Sequence, residues 1–193
     1  MEKKIKIHVF HTGEVGVDPA VPFRDVSRNP IAYTGLFRSK KRRILLPVSA
    51  YLIEHPKGLV LIDTGWHRDV RIDQIKHMSW KLNFASKARL PEGEAIDEQF
   101  GKLGIKPRDL DYVFLTHLDV DHASGLELVK EAKHIMTSKE ELEAAQKGDI
   151  RYSDRFWNGV NLEPFEMKVS SYGPFGRSYD VFGDESVLLI DVA

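Results

Sequence analysis

The middle of the chain reads Thr116-His117-Leu118-Asp119-Val120-Asp121-His122-Ala123-Ser124-Gly125. Four residues that commonly bind metals fall within this stretch, namely His117, Asp119, Asp121 and His122. An apolar run from Tyr112 to Leu115 precedes it, and a helix-like pattern follows. A strand that ends in a polar loop before a helix places that loop at the carboxyl end of a sheet, where α/β folds commonly bind ligands. The pattern therefore predicts an α/β fold with a metal-binding loop.

The spacing of these side chains indicates a pair of metals. If the loop stays extended, His117, Asp119 and Asp121 project to one side and His122 points elsewhere. Imidazole and carboxylate ligands suit zinc first, with manganese, iron or cobalt as alternatives, and the chain has no cysteine to supply a thiolate. We therefore expect two divalent metal ions. The plainer alternative is a helix capped by Asp121 beside two solvated histidines.

At these residues the sequence resembles the metallo-β-lactamase superfamily, whose signature is His-x-His-x-Asp-His at the end of a strand. Among its branches, it is most similar to the N-acyl-homoserine-lactonase-type hydrolases. The stretch from Leu59 to Gly65 resembles the family's earlier strand ending in Asp-Thr-Gly, and the stretch from Leu103 to Val113 resembles the segment leading into the metal loop. Asp119 stands where the family usually has its second histidine. Since carboxylate can replace imidazole as a ligand, the resemblance implies a metal site with an altered metal preference.

The resemblance also implies roles for these residues. His117 and Asp119 would belong to one metal, and Asp121 and His122 to the other. Asp121 is also the candidate catalytic residue, which would orient the nucleophile or carry its proton, and Asp63 would support the site from beside the metals. The implied reaction is attack by a metal-bound hydroxide on an ester-like carbonyl, because a metal lowers the pKa of bound water from about 15.7 to about 7. The implied substrate is an acyl-homoserine lactone or a related lactone.

The resemblance stops where the chain stops. In the family, the strand that resembles Ser186 to Val192 leads into a Gly-His segment with a further ligand, and a bridging Asp and a final His follow later. The chain ends at Ala193. We therefore expect residues 1–193 to form a single metallo-hydrolase domain, an αββα sandwich that lacks its C-terminal part. A non-catalytic or incomplete metal-binding fragment of this fold is the main alternative.

A second alternative comes from Asp119-Val120-Asp121, which matches the Asp-x-Asp pattern of metal-dependent glycosyltransferases. It leaves His117, His122 and the Asp-Thr-Gly strand unexplained, so we rank it below the hydrolase.

Composition narrows the classes of partner. The 193 residues carry a net charge of −1, with 42% hydrophobic residues, so nothing indicates bulk attraction to nucleic acid or anionic lipid. The start of the chain does not resemble a signal peptide, and no run approaches the length of a membrane span. We therefore expect a cytoplasmic protein with a small-molecule substrate and neither nucleic-acid nor membrane partners. A homodimer is compatible with the sequence.

Outward from the metal loop, periodicity predicts the remaining elements. We expect strands at Lys4–Phe10 and His134–Met136, hairpins at 44–62 and 178–192, a helix at Ile96–Leu103, a helix marked by Leu126, Val129 and Ala132, and a helix opened by a capping box at Ser138–Glu141. Residues 13–35 are expected to form a long irregular loop, which is a candidate lid or substrate wall. His67 follows the Asp-Thr-Gly turn closely enough to reach the site, although a lone histidine is seldom a ligand.

Overall fold

The structure is a computed structural model that describes residues 4–23, 29, 31–148 and 151–192. Its larger sheet contains seven strands: β1 Lys6–Val17, β2 Ile44–His55, β3 Gly58–Ile62, β4 Lys87–Arg89, β5 Tyr112–Leu115, β6 His134–Ser138 and β7 Leu162–Phe165. Their order across the sheet is β4-β1-β2-β3-β5-β6-β7. The pairs from β4 to β3 are antiparallel, and the pairs from β3 to β7 are parallel. The predicted α/β class and the hairpin of β2 and β3 are confirmed.

A smaller sheet and short helices complete the fold. The smaller sheet has the order β10-β9-β8, with all pairs antiparallel. Its strands are β8 Lys168–Val169, β9 Arg177–Asp180 and β10 Leu188–Ile190, so the predicted C-terminal hairpin is confirmed. The α-helices are α1 Gln74–Met78, α2 Trp80–Ala85, α3 Ile96–Leu103, α4 Val120–Ala123 and α5 Lys139–Gln146. Among the described residues, no helix has the length and apolar character needed to cross a membrane.

Strand β5 shows how the two faces of the large sheet are used. Val113 and Leu115 belong to the larger apolar cluster, together with Phe100 of α3. Phe114 points the other way and belongs to a smaller cluster with Val181 and Val187, next to the small sheet. Because successive side chains of a strand alternate between its faces, one strand joins both clusters. The layers are therefore helices, the large sheet and the small sheet.

The prediction for the start of the chain was partly wrong. Strand β1 does not end at Phe10 but continues to Val17, past an irregularity between His11 and Glu14. The second half pairs with β2 on one side and β4 on the other, so tertiary pairing compensates for a weak local pattern. Residues 13–17 of the expected loop are therefore strand. Residues 24–28 and 30 of that loop lie outside the described residues, and the lid hypothesis stays a prediction.

Two helix predictions had different outcomes. Helix α3 ends at Gly104 in the left-handed conformation, as its apolar spacing predicted. The helix expected after the metal loop is instead a short 3-10 turn at Leu126–Val129. Its Leu126 and Val129 are fully buried, and a spacing of three residues fits one 3-10 turn as well as an α-helix. Apolar periodicity over so few residues did not distinguish the two.

The start of α3 provides a pH-dependent prediction. Glu98 forms a bidentate ion pair with Arg71, both contacts at 2.7 Å, and also accepts a hydrogen bond from the backbone N–H of Ala95. The Arg71 hydrogen bonds, opposed by burial, lower the pKa of Glu98 from 4.5 to about 2. A carboxyl whose pKa is lower in the folded chain stabilises it above the unfolded pKa, and loses that contribution as the pH falls toward the folded pKa.

Glu98→Gln should therefore lower the free energy of unfolding by about 1 kcal/mol at pH 7, after allowance for solvent screening. The difference from wild type should shrink as the pH falls from about 5 toward about 2 in urea titrations. Glu166→Gln is the matched control, because Glu166 pairs with Lys139 at an exposed position. The control should have no measurable effect. A Glu98→Gln effect that is independent of pH contradicts the assignment.

Candidate metal centre

Two loops meet at the carboxyl edge of the large sheet. Strands β3 and β5 are parallel neighbours, so the turn Asp63-Thr64-Gly65 after β3 lies beside the loop Thr116–Asp119 after β5. The Asp63 N–H donates to the Phe114 carbonyl at 2.8 Å, which continues the pairing of the strands for one more residue. The predicted ligand loop and the Asp-Thr-Gly turn are thus placed side by side by the sheet itself.

Hydrogen bonds fasten the turn to α4. The Thr64 N–H and hydroxyl both donate to the His122 carbonyl, at 3.0 and 2.6 Å. The Gly125 N–H donates to the Gly65 carbonyl at 2.9 Å. A Cβ added at Gly125 would lie 2.6 Å from the Thr64 carbonyl oxygen, so only glycine permits this approach. The His122 backbone is therefore held at a fixed distance from the turn.

Asp63 organises the side chains of the site. It is buried, with 4% of its surface exposed, and its backbone φ of +58° lies in the left-handed region that Asp tolerates better than most residues. One carboxylate oxygen accepts the Thr116 N–H at 2.8 Å. The other accepts the Thr116 hydroxyl at 2.8 Å and faces His122 Nδ1 at 2.9 Å. The carboxylate can only accept hydrogen bonds, so His122 Nδ1 carries a proton.

The same logic fixes His117. Its Nδ1 lies 3.0 Å from the Thr116 hydroxyl oxygen. Because that hydroxyl uses its hydrogen on Asp63, it must accept from His117, whose Nδ1 is therefore also protonated. A chain of hydrogen bonds runs from His117 through Thr116 to Asp63 and on to His122. In the neutral form of each ring, Nε2 then keeps its lone pair free, which is the tautomer that a metal ligand needs.

The free nitrogens face the two predicted carboxylates. His117 Nε2 lies 3.7 Å from an Asp119 oxygen, and His122 Nε2 lies 3.6 Å from an Asp121 oxygen. The two imidazole centroids are 3.9 Å apart, so the two His–Asp pairs adjoin each other. The structure thus brings His117 to Asp119 and His122 to Asp121. The assignment of these four residues as metal ligands stays a prediction.

The geometry inferred from the sequence assumes that the loop stays extended, but in the structure only its first part is extended. Asp119 is extended, with ψ of 153°, but α4 begins at Val120, so Asp121 and His122 lie on its single turn. The buried side chains of Leu118, Val120 and Ala123 explain this change, because they point into the core while their polar neighbours face outward. The extended backbone up to Asp119 and the helical turn after it place His117, Asp119, Asp121 and His122 on the same side of the loop.

The two candidate ligands on α4, Asp121 and His122, have different electrostatic environments. Burial lowers the pKa of His122, but the hydrogen bond and charge of Asp63, with help from Asp121, outweigh burial and raise it to about 9. Burial raises the pKa of Asp121, and the Asp119 charge acts in the same direction against the opposing effect of His122. The carboxylates around His122 therefore favour a positive charge at its Nε2, which a proton or a bound metal ion can supply.

Two residues that the sequence did not assign to the site, Arg151 and Glu141, also contact the loop. Arg151 donates from Nε and one terminal nitrogen to the two Asp119 oxygens, at 2.7 and 3.0 Å. Glu141 of α5 accepts the Leu118 N–H at 2.7 Å and a hydrogen bond from the Tyr152 hydroxyl at 3.2 Å. Ser138 caps α5 by accepting the Glu141 N–H, so the predicted cap forms while the Glu141 side chain serves the loop. No local pattern could have identified either contact.

Comparison with known proteins identifies the family. The sequence profile of the metallo-beta-lactamase superfamily matches residues 43–192. The chain belongs to this superfamily. The match includes the turn at Asp63 and the whole ligand loop, and it confirms the resemblance drawn from those residues. This one family profile covers the Asp-x-Asp pattern together with the surrounding histidines, which the glycosyltransferase alternative left unexplained.

Two relatives that are similar to this chain in sequence are named N-acyl homoserine lactonases. The chain is 30% identical over 151 residues to the N-acyl homoserine lactonase AttM of Azorhizobium caulinodans, covering 75% of this chain and 54% of AttM. It is 28% identical over 185 residues to the N-acyl homoserine lactonase AiiB of Agrobacterium fabrum, covering 92% of this chain and 60% of AiiB. The chain thus spans somewhat more than half the length of these curated relatives.

Solved structures show that the superfamily fold is shared. An N-acyl homoserine lactone hydrolase, solved with N-hexanoyl-L-homoserine at its catalytic metal centre, superimposes with a TM-score of 0.69 at 20% identity. The superposition covers 92% of this chain and 62% of that one. The dizinc lactonase AidC superimposes with a TM-score of 0.51 at 14% identity, and the superposition covers 87% of this chain and 64% of AidC. The metallo-β-lactamase-like fold predicted from the sequence is confirmed, in a chain shorter than these neighbours.

Proposed function

We propose that this chain is a divalent-metal-dependent hydrolase that opens a lactone ring, with N-acyl homoserine lactones as its substrate class. The observation that carries the proposal is the hydrogen-bond chain through Asp63, which holds a proton on Nδ1 of His117 and of His122 and turns the Nε2 of each ring toward Asp119 or Asp121. Metal-bound histidines commonly donate their other ring nitrogen to a carboxylate or to a group held by one. The residues present therefore fit the metals that the family binds.

The four side chains divide into two ligand pairs. His117 and Asp119 would hold one ion, and Asp121 and His122 the other, with zinc as the first choice for both. A neutral imidazole and a carboxylate are borderline ligands that suit zinc, and the dizinc neighbour supports a count of two. When bound, such ions polarise a carbonyl oxygen and lower the pKa of water. Asp63 would not bind a metal, because its two oxygens already accept three hydrogen bonds.

Asp121 is the proposed catalytic residue. Its carboxylate lies 3.6 Å from His122 Nε2 and would orient the attacking water and take its proton. The proton would then pass from the Asp121 oxygen to the alkoxide that leaves as the ring opens, which balances the reaction as addition of water across the ester bond. His122 is kept in place by Asp63 through Nδ1 and by Thr64 through its carbonyl.

Arg151 offers a reason why Asp119 can replace a histidine. A carboxylate brings one more negative charge than a neutral imidazole, and the bidentate Arg151 guanidinium neutralises it. Each Asp119 oxygen accepts one hydrogen bond from Arg151 and keeps a further lone pair. The Asp119–Arg151 pair therefore has the same net charge as a neutral histidine. Asp119 still offers an oxygen ligand in a fixed orientation.

The same ion pair also favours the second candidate, a non-catalytic chain whose Asp119 serves only to hold Arg151. The two candidates differ in activity. Residues 1–193, and any longer chain that contains them, should be assayed with N-hexanoyl homoserine lactone after loading with Zn²⁺, and ring opening should be followed by acid release. We expect hydrolysis that Asp121→Asn lowers by at least about 100-fold, the usual contribution of a positioned acid–base group.

Asp109→Asn is a matched control for this assay, because Asp109 caps the Lys106 N–H away from the loop and asparagine can still do so. It should leave hydrolysis unchanged. Metal binding without hydrolysis in both the 193-residue and the longer chain decides for the non-catalytic candidate.

A further inference from the structure

A second group of metal-binding side chains lies beyond the Asp-Thr-Gly turn. His67 is followed by a 3-10 turn, Arg68–Arg71, and then by α1, which brings His77 back over His67. The two imidazole rings stack with centroids 4.9 Å apart and planes 17° apart. Asp69 extends from the connecting turn toward them. One ligand atom from each of His67, Asp69 and His77 lies within 4.8 Å of the other two.

The polar atoms of this group are not fully used. His77 Nε2 is buried and has no hydrogen-bond partner in the structure, one of two such side-chain atoms found among residues 4–23, 29, 31–148 and 151–192. An unpaired buried nitrogen costs stability unless it finds a ligand. His67 Nδ1 accepts the Asp69 N–H at 3.1 Å and lies 3.6 Å from an Asp69 carboxylate oxygen. The three side chains thus present nitrogen and oxygen donors around one point.

Both rings are neutral near pH 7. Burial lowers the pKa of His67 despite the opposing charge of Asp69. Burial, followed by repulsion from His67, lowers the pKa of His77 to about 4. Two neutral imidazoles can bind a metal without first losing a proton, whereas two imidazolium rings in stacking contact would repel a cation. The protonation state therefore agrees with the geometry.

We propose that His67, Asp69 and His77 form a separate divalent-metal site that takes Zn²⁺, or Co²⁺ as its spectroscopic substitute. Two imidazole nitrogens and one carboxylate oxygen supply three ligands, and water completes a tetrahedron on the exposed Asp69 side. If His67 binds through Nδ1, the metal replaces the hydrogen bond to the Asp69 N–H. The proposal does not rest on the hydrolase function.

The site has a structural consequence for the ligand loop. The His67 N–H donates to the Ser124 hydroxyl oxygen at 3.0 Å, and Ser124 directly follows α4. A metal that joins His67 to His77 would hold residues 67–78 against the base of the helix that carries Asp121 and His122. We infer a stabilising role for this ion, since Ser124 is the point at which the segment is attached to the loop.

The test first removes the two histidines of the loop after β5. In a chain with His117→Gln and His122→Gln, metal is stripped with a chelator and Co²⁺ is titrated while visible absorption is followed, with Zn²⁺ as competitor. We expect one Co²⁺ to bind with the absorption of a tetrahedral site. Adding Asp69→Asn should weaken this binding by more than about 100-fold, because loss of a direct ligand exceeds the loss of its supporting partner. His77→Gln should do the same.

Asp73→Asn is the matched control on the same segment. Asp73 caps α1 by accepting the Lys76 N–H, and asparagine caps equally well, so only the charge changes. Asp69 is exposed, so Asp69→Asn should fold even if His77→Gln does not, which circular dichroism will show. Co²⁺ binding that is absent, or that survives Asp69→Asn, overturns the proposal. The Co²⁺ titrations use a chain without His117 and His122, so a failure of the lactonase assay does not affect their result.

Discussion

Asp63→Asn is expected to lower the Zn²⁺ affinity of the loop by about 10- to 100-fold, the usual effect of removing a group that orients a ligating histidine. Asparagine has the shape of aspartate but presents an amide N–H₂ where one carboxylate oxygen accepted from both Thr116 and His122. With the amide oriented to keep the Thr116 N–H bond, His122 Nδ1 must become an acceptor. In the neutral ring, which is the form that binds a metal, the proton then lies on Nε2 and blocks the lone pair that faces Asp121.

The same substitution should lower the free energy of unfolding by about 1–3 kcal/mol, because buried hydrogen bonds to a charged group are replaced by weaker ones. Isothermal titration with Zn²⁺ and urea unfolding measure the two effects separately.

Asp111→Asn is the matched control for Asp63→Asn. Asp111 accepts the Leu59 N–H at 2.7 Å and pairs with Lys133, so it joins β3 to β5 from the opposite end. Its replacement should affect stability but leave Zn²⁺ affinity unchanged. Equal losses of affinity in the two variants would show that Asp63 acts only through the fold.

Gly65→Ala should have the largest effect on stability, at least about 3 kcal/mol, from the sum of strain and overpacking. Gly65 has φ of +67°, which a side chain disfavours. An added Cβ would also lie 2.0 Å from the Thr12 hydroxyl oxygen and 2.3 Å from Thr12 Cβ. Thr12 is fully buried and donates to the Val48 carbonyl, so it cannot move aside. The turn must therefore shift, and with it the contact between Gly65 and Gly125. Thermal and urea unfolding measure the loss.

Gly104→Ala separates strain from crowding. Gly104 has φ of +70°, close to that of Gly65, but a Cβ there meets nothing within 4 Å. Its substitution should cost about 1 kcal/mol, the conformational part alone. If Gly65→Ala costs no more than Gly104→Ala, the close packing of the turn on Thr12 is not what holds the site together.

The sequence was sufficient to place the loop between β5 and α4, because the information for this loop is local. An apolar run into His117-Leu118-Asp119-Val120-Asp121-His122 specifies a strand end, a helix start and a dense set of ligand types within a few residues. The Asp-Thr-Gly turn was also identifiable, from its strand and its resemblance to the family. What the sequence did not reveal is the hydrogen-bond chain that joins them, because the role of Thr116 depends on Asp63 being 2.8 Å away in space.

The other features that the sequence did not predict also depend on contacts between residues that are distant in the chain. Arg151 contacts Asp119 across 32 residues of chain, and the sequence around either residue does not indicate the other as its partner. The second half of β1 forms because β2 and β4 pair with it on both sides, although Glu14-Val15-Gly16-Val17 is a weak strand pattern by itself. His67 was considered alone and set aside as a ligand. Its partner His77 becomes its neighbour only when the chain turns back through α1.

We propose that the loop after β5 holds metal between its His–Asp pairs, and anomalous diffraction tests this most directly. Crystals of the chain grown with Zn²⁺ should be measured above and below the zinc absorption edge. We expect one peak bound by His122 Nε2 and Asp121, and another bound by His117 Nε2 and Asp119, each at about 2.0–2.2 Å from its ligands. Maps of zinc-loaded crystals that show no peak in contact with any of these four side chains would contradict the account.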